Sequence, residues 1–82
     1  MLDDRLLSRV TAHPAVLGGK PCVRGMRIPV ELVIALLAQG ATVTEIIDGY
    51  PELEPDDIRA CLLYAYKVLR GEPVEAGRLA PA

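Results

Sequence analysis

The sequence predicts a mainly α domain: a small three-helix unit of helix-turn-helix type, winged-helix or homeodomain-like, with a short N-terminal β element. Three observations predict it. The chain has 82 residues, enough for one hydrophobic core. Apolar residues make up 51% of it, without Phe or Trp, so the core must be aliphatic. Helix-start signals recur at Pro29, Thr42 and Pro55 and divide the remainder into three helical segments.

The N-terminal third is predicted to contain short extended segments and loops. Residues 1–8 form an extension with one short helical turn, and the domain itself is assigned to residues 9–71. Val10 and Thr11 favour a strand, which Pro14 ends. Two further extended runs are predicted on either side of a turn at Gly25.

Strand alternation around this turn predicts which side chains face the core. It places Cys22 and Arg24 on one face, for which Arg27 is also a candidate, and Val23 and Ile28 on the other. We therefore expect Cys22 to be more exposed than Cys61, which lies in a helical core stripe. Both thiols are expected to be reduced in the cytoplasm, because the acidic N-terminus does not resemble a signal peptide. Two separated cysteines and one histidine do not predict a metal site.

The first predicted helix is apolar on every face. It begins near Glu31 and ends at Gln39 and Gly40, with no polar residue in between. A helix of this kind must be covered on all sides, which two further helices can hardly do alone. We therefore expect it to take part in a subunit interface.

Two more helices follow. Thr42 and Glu45 have the spacing of a capping box, which opens a short helix over residues 43–48. The third helix covers residues 55–70, and the tail 72–82, which lacks periodicity, is expected to be flexible. Helical spacing predicts a core-facing stripe on the third helix that consists of Ile58, Cys61, Leu62, Ala65, Val68 and Leu69.

Charge is unevenly distributed along the chain. Residues 5–30 contain five basic residues and no acidic one, whereas residues 31–82 contain nine acidic and four basic residues. Such asymmetry predicts a basic surface for an acidic partner: nucleic acid, another protein, or the acidic half of a second copy. Ordinary solvated charge is the alternative. The candidate partner-binding residues are Lys20, Arg24 and Arg27.

The last two helices have the layout of a DNA-reading helix-turn-helix. Asp56 and Asp57, however, lie where the second helix would meet DNA, and carboxylates repel phosphates. Packing and dimerisation are therefore an equally good role for this helix. The candidate DNA-binding residues are Thr44, Arg59, Lys67 and Arg70. The candidate dimer-interface residues are Leu32, Val33, Leu36, Leu37, Tyr64 and Tyr66.

No grouping of nucleophile, histidine and acid predicts an enzyme. His13 is interpreted as a hydrogen-bonding residue that fixes its loop. We expect no cofactor, no small-molecule substrate and no membrane span.

A series of motifs runs along residues 9–70. They are His13-Pro14, Leu17-Gly-Gly-Lys-Pro21, Arg24-Gly-Met-Arg-Ile-Pro-Val30, Gln39-Gly40, Tyr50-Pro-Glu-Leu53 and Ala60…Leu63-Tyr-Ala65. Together these motifs resemble the Domain of Unknown Function 433 family. Met26 stands where the family has threonine, and Cys22 where it usually has valine or isoleucine.

The resemblance implies a helix-turn-helix or winged-helix-like fold with a small β element, and a homodimer. It also implies a VapB-type antitoxin role in a type II toxin–antitoxin pair. Such a protein binds a PIN-like nuclease toxin with one region and operator DNA with another. Two alternatives stay open: a transcriptional regulator without a toxin partner, and a dimeric interaction scaffold.

Overall fold

A computed structural model describes residues 2–72, 74 and 77–78. Its elements confirm the predicted mainly α class with a short N-terminal β element. In chain order they are a 3₁₀ helix (Asp4–Arg9), β1 (Val10–Ala12), a 3₁₀ turn (Leu17–Gly19), β2 (Cys22–Val23), α1 (Val30–Ala38), α2 (Val43–Gly49), α3 (Pro55–Leu69) and β3 (Gly77–Arg78).

The strands form a small sheet in the order β2-β1-β3. β1 and β2 are antiparallel, with Val10 opposite Val23. β3 runs parallel to β1, with Thr11 opposite Gly77. The sequence did not predict β3, because a two-residue strand is too short to show alternation. Most of the other residues of the predicted tail, 72–82, lie outside the described residues.

The turn between β2 and α1 differs from the predicted alternation. Cys22 is buried, because β2 lies between β1 and the start of α1, and Cys22 also forms a bridge to Pro29. Burial raises the pKa of the Cys22 thiol. Arg24 leaves the strand altogether: it has a left-handed backbone, with φ of +44°. Its N–H donates to the carbonyl of Arg9 at 2.8 Å.

α1 ends in a Schellman motif. The N–H of Gly40 donates to Leu37 O, and that of Ala41 donates to Leu36 O, both at 3.0 Å. Gly40 has φ of +96°, a conformation that glycine adopts without strain. The predicted stop of this helix is therefore confirmed at the level of its hydrogen bonds.

The predicted capping box of α2 is confirmed as well. The N–H of Glu45 donates to Thr42 Oγ1 at 3.1 Å, and the N–H of Thr42 donates to Glu45 Oε1 at 3.0 Å. A short turn through Tyr50 and Leu53 then leads into α3. The two helices form the predicted helix-turn-helix pair.

The core lies around α3, which packs against the 3₁₀ helix, α1, α2 and β1. Because it contacts all of these elements, α3 is the element that positions the others. The side chains that are almost completely buried include Val10, Val23, Val33, Ile46, Ile58 and Cys61.

Candidate protein-binding surface

A buried carboxylate, Asp57, holds the N-terminal end of α3. It is 0% exposed. Arg24 donates to both of its oxygens, through Nε to Oδ1 at 3.0 Å and Nη2 to Oδ2 at 2.8 Å. Arg9 Nη1 donates to Oδ1 at 3.0 Å, and the backbone N–H of Glu54 donates to Oδ2 at 2.8 Å. Burial alone would raise the pKa of Asp57, but these hydrogen bonds outweigh it and lower the pKa.

This cluster corrects two predictions. Asp57 does not face a nucleic acid, because it points into the domain and is enclosed by its donors. Arg24 was predicted to meet a partner, but it is held by Asp57 and by the carbonyl of Glu52 at 2.7 Å. The guanidinium therefore ties the turn after β2 to α3. Its role is structural.

The other two residues of the predicted basic cluster remain at the surface. Lys20 is exposed and forms an ion pair with Glu31, with Nζ and Oε1 2.5 Å apart. Arg27 is exposed as well, and it has no acidic partner among the described residues. Of the three predicted cations, Arg27 is thus the one best placed to reach a partner.

The cations predicted to bind DNA are paired within the chain. Arg59 contacts Asp56 at 3.0 Å. Lys67 is only 17% exposed and contacts both Asp4 and Glu72 at 3.2 Å.

The remaining cation of this set lies at the end of α3. Arg70 contacts Glu72 at 3.1 Å and lies over the ring of Tyr66, 5.6 Å from its centroid. Thr44 is exposed in the first turn of α2. The arginines and Lys67 therefore present less positive charge than their number suggests, and Asp56 keeps the start of α3 acidic.

The predicted dimer residues are divided between the core and the surface. Val33 is 0% exposed, so it cannot reach a second copy. The exposed residues of α1 are Glu31, Ala35 and Ala38. The larger apolar side chains of this helix are therefore at least partly covered within one subunit. Tyr66 alone of the set is clearly exposed, at 44%. The remaining four predicted residues are partly buried and pack against the core: Leu32, Leu36, Leu37 and Tyr64.

The main apolar surface of the described chain lies on α3 instead. Leu62 is 49% exposed, Tyr66 44% and Leu69 86%. They follow one another at intervals of four and three residues, so they form one line along the helix. We call these three residues the α3 ridge.

A groove lies on each side of the α3 ridge. The first has a volume of about 360 Å³ and is lined by Leu2, Leu6, Leu62 and Tyr66, with Asp3, Arg59 and Leu63. The second, of about 380 Å³, runs between α1 and α3; Ile34, Ala35, Tyr64 and Val68 are among its lining residues. Both grooves are largely apolar, and surfaces of this kind in small domains mark protein contacts.

The predicted core stripe of α3 is therefore wrong in its second half. Ile58 and Cys61 are buried as predicted, but Leu62, Val68 and Leu69 are exposed. The buried face is rotated toward Asp57, Ala60, Cys61 and Leu63, and the Asp57 ion cluster lies on this face. The sequence carries no signal for this rotation, because nothing in it marks Asp57 as a buried residue.

Further residues of chemical interest have structural surroundings. His13 Nδ1 accepts a hydrogen bond from the N–H of Ala15 at 3.0 Å, as predicted for a loop-fixing residue. Burial raises the pKa of the Cys61 thiol to about 12. Within the part of the chain that the structure describes, no three His, Cys, Asp or Glu side chains are grouped to hold a metal ion. No helix among these residues is long and apolar enough to cross a membrane.

Comparison with known proteins identifies the family. The sequence profile described as "Protein of unknown function (DUF433)" matches residues 10–65. The chain belongs to the DUF433 family. A crystal structure of a DUF433 member from Anabaena variabilis superposes with a TM-score of 0.72, at 31% identity over 83% of this chain and 67% of that one.

A second comparison is with a longer protein. The chain is 42% identical over 66 residues to "Uncharacterized protein y4eO" of Sinorhizobium fredii. The match includes 78% of this chain but only 30% of that protein. The chain thus spans less than a third of the length of this relative.

Proposed function

We propose that this chain is a non-enzymatic, homodimeric binding protein of antitoxin type, which pairs with a PIN-like nuclease in the cytoplasm. The observation that carries the proposal is the exposed apolar surface of α3, with Leu69 86% and Leu62 49% exposed. Side chains of this size are exposed together where another protein covers them. The proposal requires no cofactor and no small-molecule substrate.

Arg27 supports contact with a nuclease. A PIN-like active site is a cluster of carboxylates, and a guanidinium neutralises carboxylates with bidentate geometry. Arg27 is exposed on the turn that the Arg24–Asp57 pair holds in place. The fixed turn limits the conformational entropy that Arg27 would lose on binding.

The test is binding and neutralisation of a PIN-like nuclease encoded beside this chain. We expect wild type to form a stable complex and to restore the growth of cells that express the nuclease. Arg27→Glu is expected to weaken the complex at least tenfold, because it brings a carboxylate to a site of carboxylates. Arg5→Glu, a change at an arginine that is also exposed, is the control and should bind as wild type. Equal binding by Arg27→Glu contradicts the assignment of this residue, and the absence of a complex contradicts the antitoxin role.

Operator DNA is the alternative partner. The helix pair of α2 and α3 favours it, and the side chains of Arg59 and Arg70 are 63% and 57% exposed. Their ion pairs with Asp56 and Glu72 weigh against it. A gel shift at low salt tests this alternative: binding that is lost in Arg59→Ala and that falls steeply with salt supports a regulator. No shift at low salt excludes it.

A further inference from the structure

The α3 ridge has the spacing of a helix–helix seam. Leu62, Tyr66 and Leu69 are separated by four and three residues, and Arg59 extends the same line by three residues toward the start of the helix. Alternation of three and four keeps side chains on one stripe and is the pattern by which two helices interlock at a small crossing angle. The ridge therefore fits another helix.

The order of side chains in the ridge is close to a mirror image of itself. Tyr66 stands at the centre, with a leucine four residues before it and another three residues after it. An interface between identical subunits with two-fold symmetry needs one patch that matches itself. A ridge of this order can meet its own copy leucine to leucine when the two helices run in opposite directions.

We propose that a second copy of this chain packs its α3 antiparallel against the α3 ridge, with the two-fold axis close to Tyr66. This inference rests on the homodimer of the proposed function and names its interface. Leu62 of one copy meets Leu69 of the other, and the two Tyr66 rings lie against each other at the axis. Offset or edge-to-face contact between the rings stabilises such a pair.

The groove beside the ridge supplies a receptor for the exposed leucine. Leu69 is 86% exposed and projects from the last turn of α3. The groove of about 360 Å³ next to Leu62, with Leu2 and Tyr66 in its wall, is large enough for an aliphatic side chain. The antiparallel arrangement brings Leu69 of the second copy to this groove, as a knob enters a hole.

The exposed area on this side of the molecule matches what a dimer needs. Large apolar side chains of about 150–250 Å² each, exposed by about half or more, present on the order of 500 Å² per copy. Two copies then bury on the order of 1,000 Å², the lower limit for a specific interface, before the α1–α3 groove is counted. The side chains concerned, between 44% and 86% exposed, are Leu2, Leu62, Tyr66 and Leu69.

Charge and helix dipoles select the antiparallel arrangement over the parallel one. The region where α3 begins carries Glu52, Glu54 and Asp56, and its last part carries Lys67 and Arg70. Antiparallel packing opposes the two macrodipoles, and it places the acidic start of one helix beside the end of the other, where the ion pairs of Lys67 and Arg70 within the chain reduce the positive charge. Parallel packing would place like charges side by side.

The first experiment removes the apolar side chains at the two ends of the α3 ridge. Sedimentation equilibrium is measured for wild type, for the double variant Leu62→Glu/Leu69→Glu, and for Val43→Glu as a control. Val43 is an exposed apolar residue at the start of α2, where a carboxylate suits the helix. We expect wild type and the control to dimerise, and the Kd of the double variant to rise at least 100-fold. Circular dichroism of all three should show the same helix content, because both leucines are exposed.

The outcomes separate the inference from the function that it rests on. If wild type dimerises and the double variant dimerises equally well, the interface is wrong although the homodimer stands. A monomeric wild type contradicts both the homodimer and this inference. A third outcome is also possible: wild type is monomeric in the absence of the nuclease, and the double variant no longer binds the PIN-like nuclease. In that case the ridge is the nuclease site and the inference is wrong. Arg27→Glu tests the nuclease contact independently.

The second experiment determines whether the two α3 helices run antiparallel or parallel. The native thiols Cys22 and Cys61 are buried, so an introduced cysteine at the ridge is the reactive one. Oxidation of Tyr66→Cys should give a disulfide-linked dimer, whereas Val43→Cys should stay unlinked. A mixture of Leu62→Cys and Leu69→Cys should cross-link into heterodimers at least fivefold more than either variant alone. Equal cross-linking by Leu62→Cys alone would mean parallel helices and would overturn the proposal.

Discussion

The two halves of α3 have similar apolar content and opposite surroundings. In the first half, Ile58 and Cys61 are almost completely buried, together with the carboxylate of Asp57. In the second half, Val68 is 52% exposed and Leu69 86%. One helix therefore belongs to the core at one end and to the surface at the other. Apolar side chains at helical spacing define a stripe on a helix, but they do not show which part of that stripe the domain itself buries.

The difference follows from what holds each half. The first half is fixed by the ion cluster around Asp57, in which Arg9 and Arg24 reach it from the N-terminal element and from the turn after β2. The second half is held by Lys67, which pairs with Asp4 and Glu72 on its flank. A buried, fully bonded carboxylate fixes the rotation of a helix more strictly than an ion pair at the surface does.

The largest expected effect is the loss of the anchor of the first half. Asp57→Ala should lower the free energy of unfolding by about 3–5 kcal/mol, because it leaves two arginines without their buried partner. Urea denaturation measures this loss. Asp56→Ala, at the adjacent and partly exposed carboxylate, is the control and should change stability by no more than about 0.5 kcal/mol. Similar losses in the two variants would contradict the distinction between the anchor and the surface.

A comparison of one residue from each half sharpens the contrast. Ile58→Ala should destabilise the chain by about 3 kcal/mol at every protein concentration, because it leaves a cavity in the core. Leu62→Ala should have little effect in dilute protein, with a loss that grows as the concentration rises and dimers form. Thermal denaturation at two concentrations at least 100-fold apart provides the measurement. A concentration-independent loss in Leu62→Ala would assign this leucine to the core.

Acid should loosen the first half selectively. The pKa of Asp57 lies below its ordinary value in the folded chain, so at low pH the unfolded chain binds the proton more readily. Its contribution is therefore complete above the unfolded pKa of about 3.9 and is lost as pH falls through the folded pKa. Stability should fall below about pH 4, with up to about 1.4 kcal/mol per pH unit from this group.

The control for the acid effect is Asp57→Asn, which removes the titrating group. Its stability should depend less steeply on pH in the same range, although Asp3 and Glu45, whose pKa values are also lowered, keep some slope. Urea denaturation at several pH values from 5 to about 2.5 compares the two chains. Identical slopes would show that the protonation of Asp57 is not coupled to folding.

The smallest expected effect concerns the second half. Arg70→Ala removes the cation above the Tyr66 ring and one ion pair with Glu72, and should lower stability by about 0.5 kcal/mol or less. Tyr66→Phe keeps the ring but loses the hydroxyl that accepts from Arg70 Nη1, and should change stability even less. A loss above about 1.5 kcal/mol in either variant would mean that this end of α3 is part of the core.

Much of the fold was predictable because its signals are local. The capping box of Thr42 and Glu45 and the glycine stop at Gly40 depend on neighbouring residues alone, and both are confirmed. The motifs around Leu17-Gly-Gly-Lys-Pro21 indicated the family, and the profile match over residues 10–65 confirms it. Local backbone chemistry of this kind acts the same way whatever packs around it.

The candidate site was predicted less well because its partners are distant in the chain. Arg24 and Asp57 are 33 residues apart, and no pattern in the sequence pairs them. The sequence alone therefore predicted an exposed cation at Arg24 and a core residue at Leu62. In the folded chain Arg24 is bonded to Asp57, and Leu62 is 49% exposed.

The sequence by itself determined where the helices begin and end, the aliphatic nature of the core and the family. Tertiary structure alone decided which cations are satisfied within the chain and which apolar side chains stay exposed. The physical reason is that caps and turns are set within a few residues, whereas the rotation of a helix depends on contacts that only the folded chain brings together. In this protein, Arg9 and Arg24 come from two distant segments to bond the buried Asp57, while Leu62, Tyr66 and Leu69 of the same helix stay exposed.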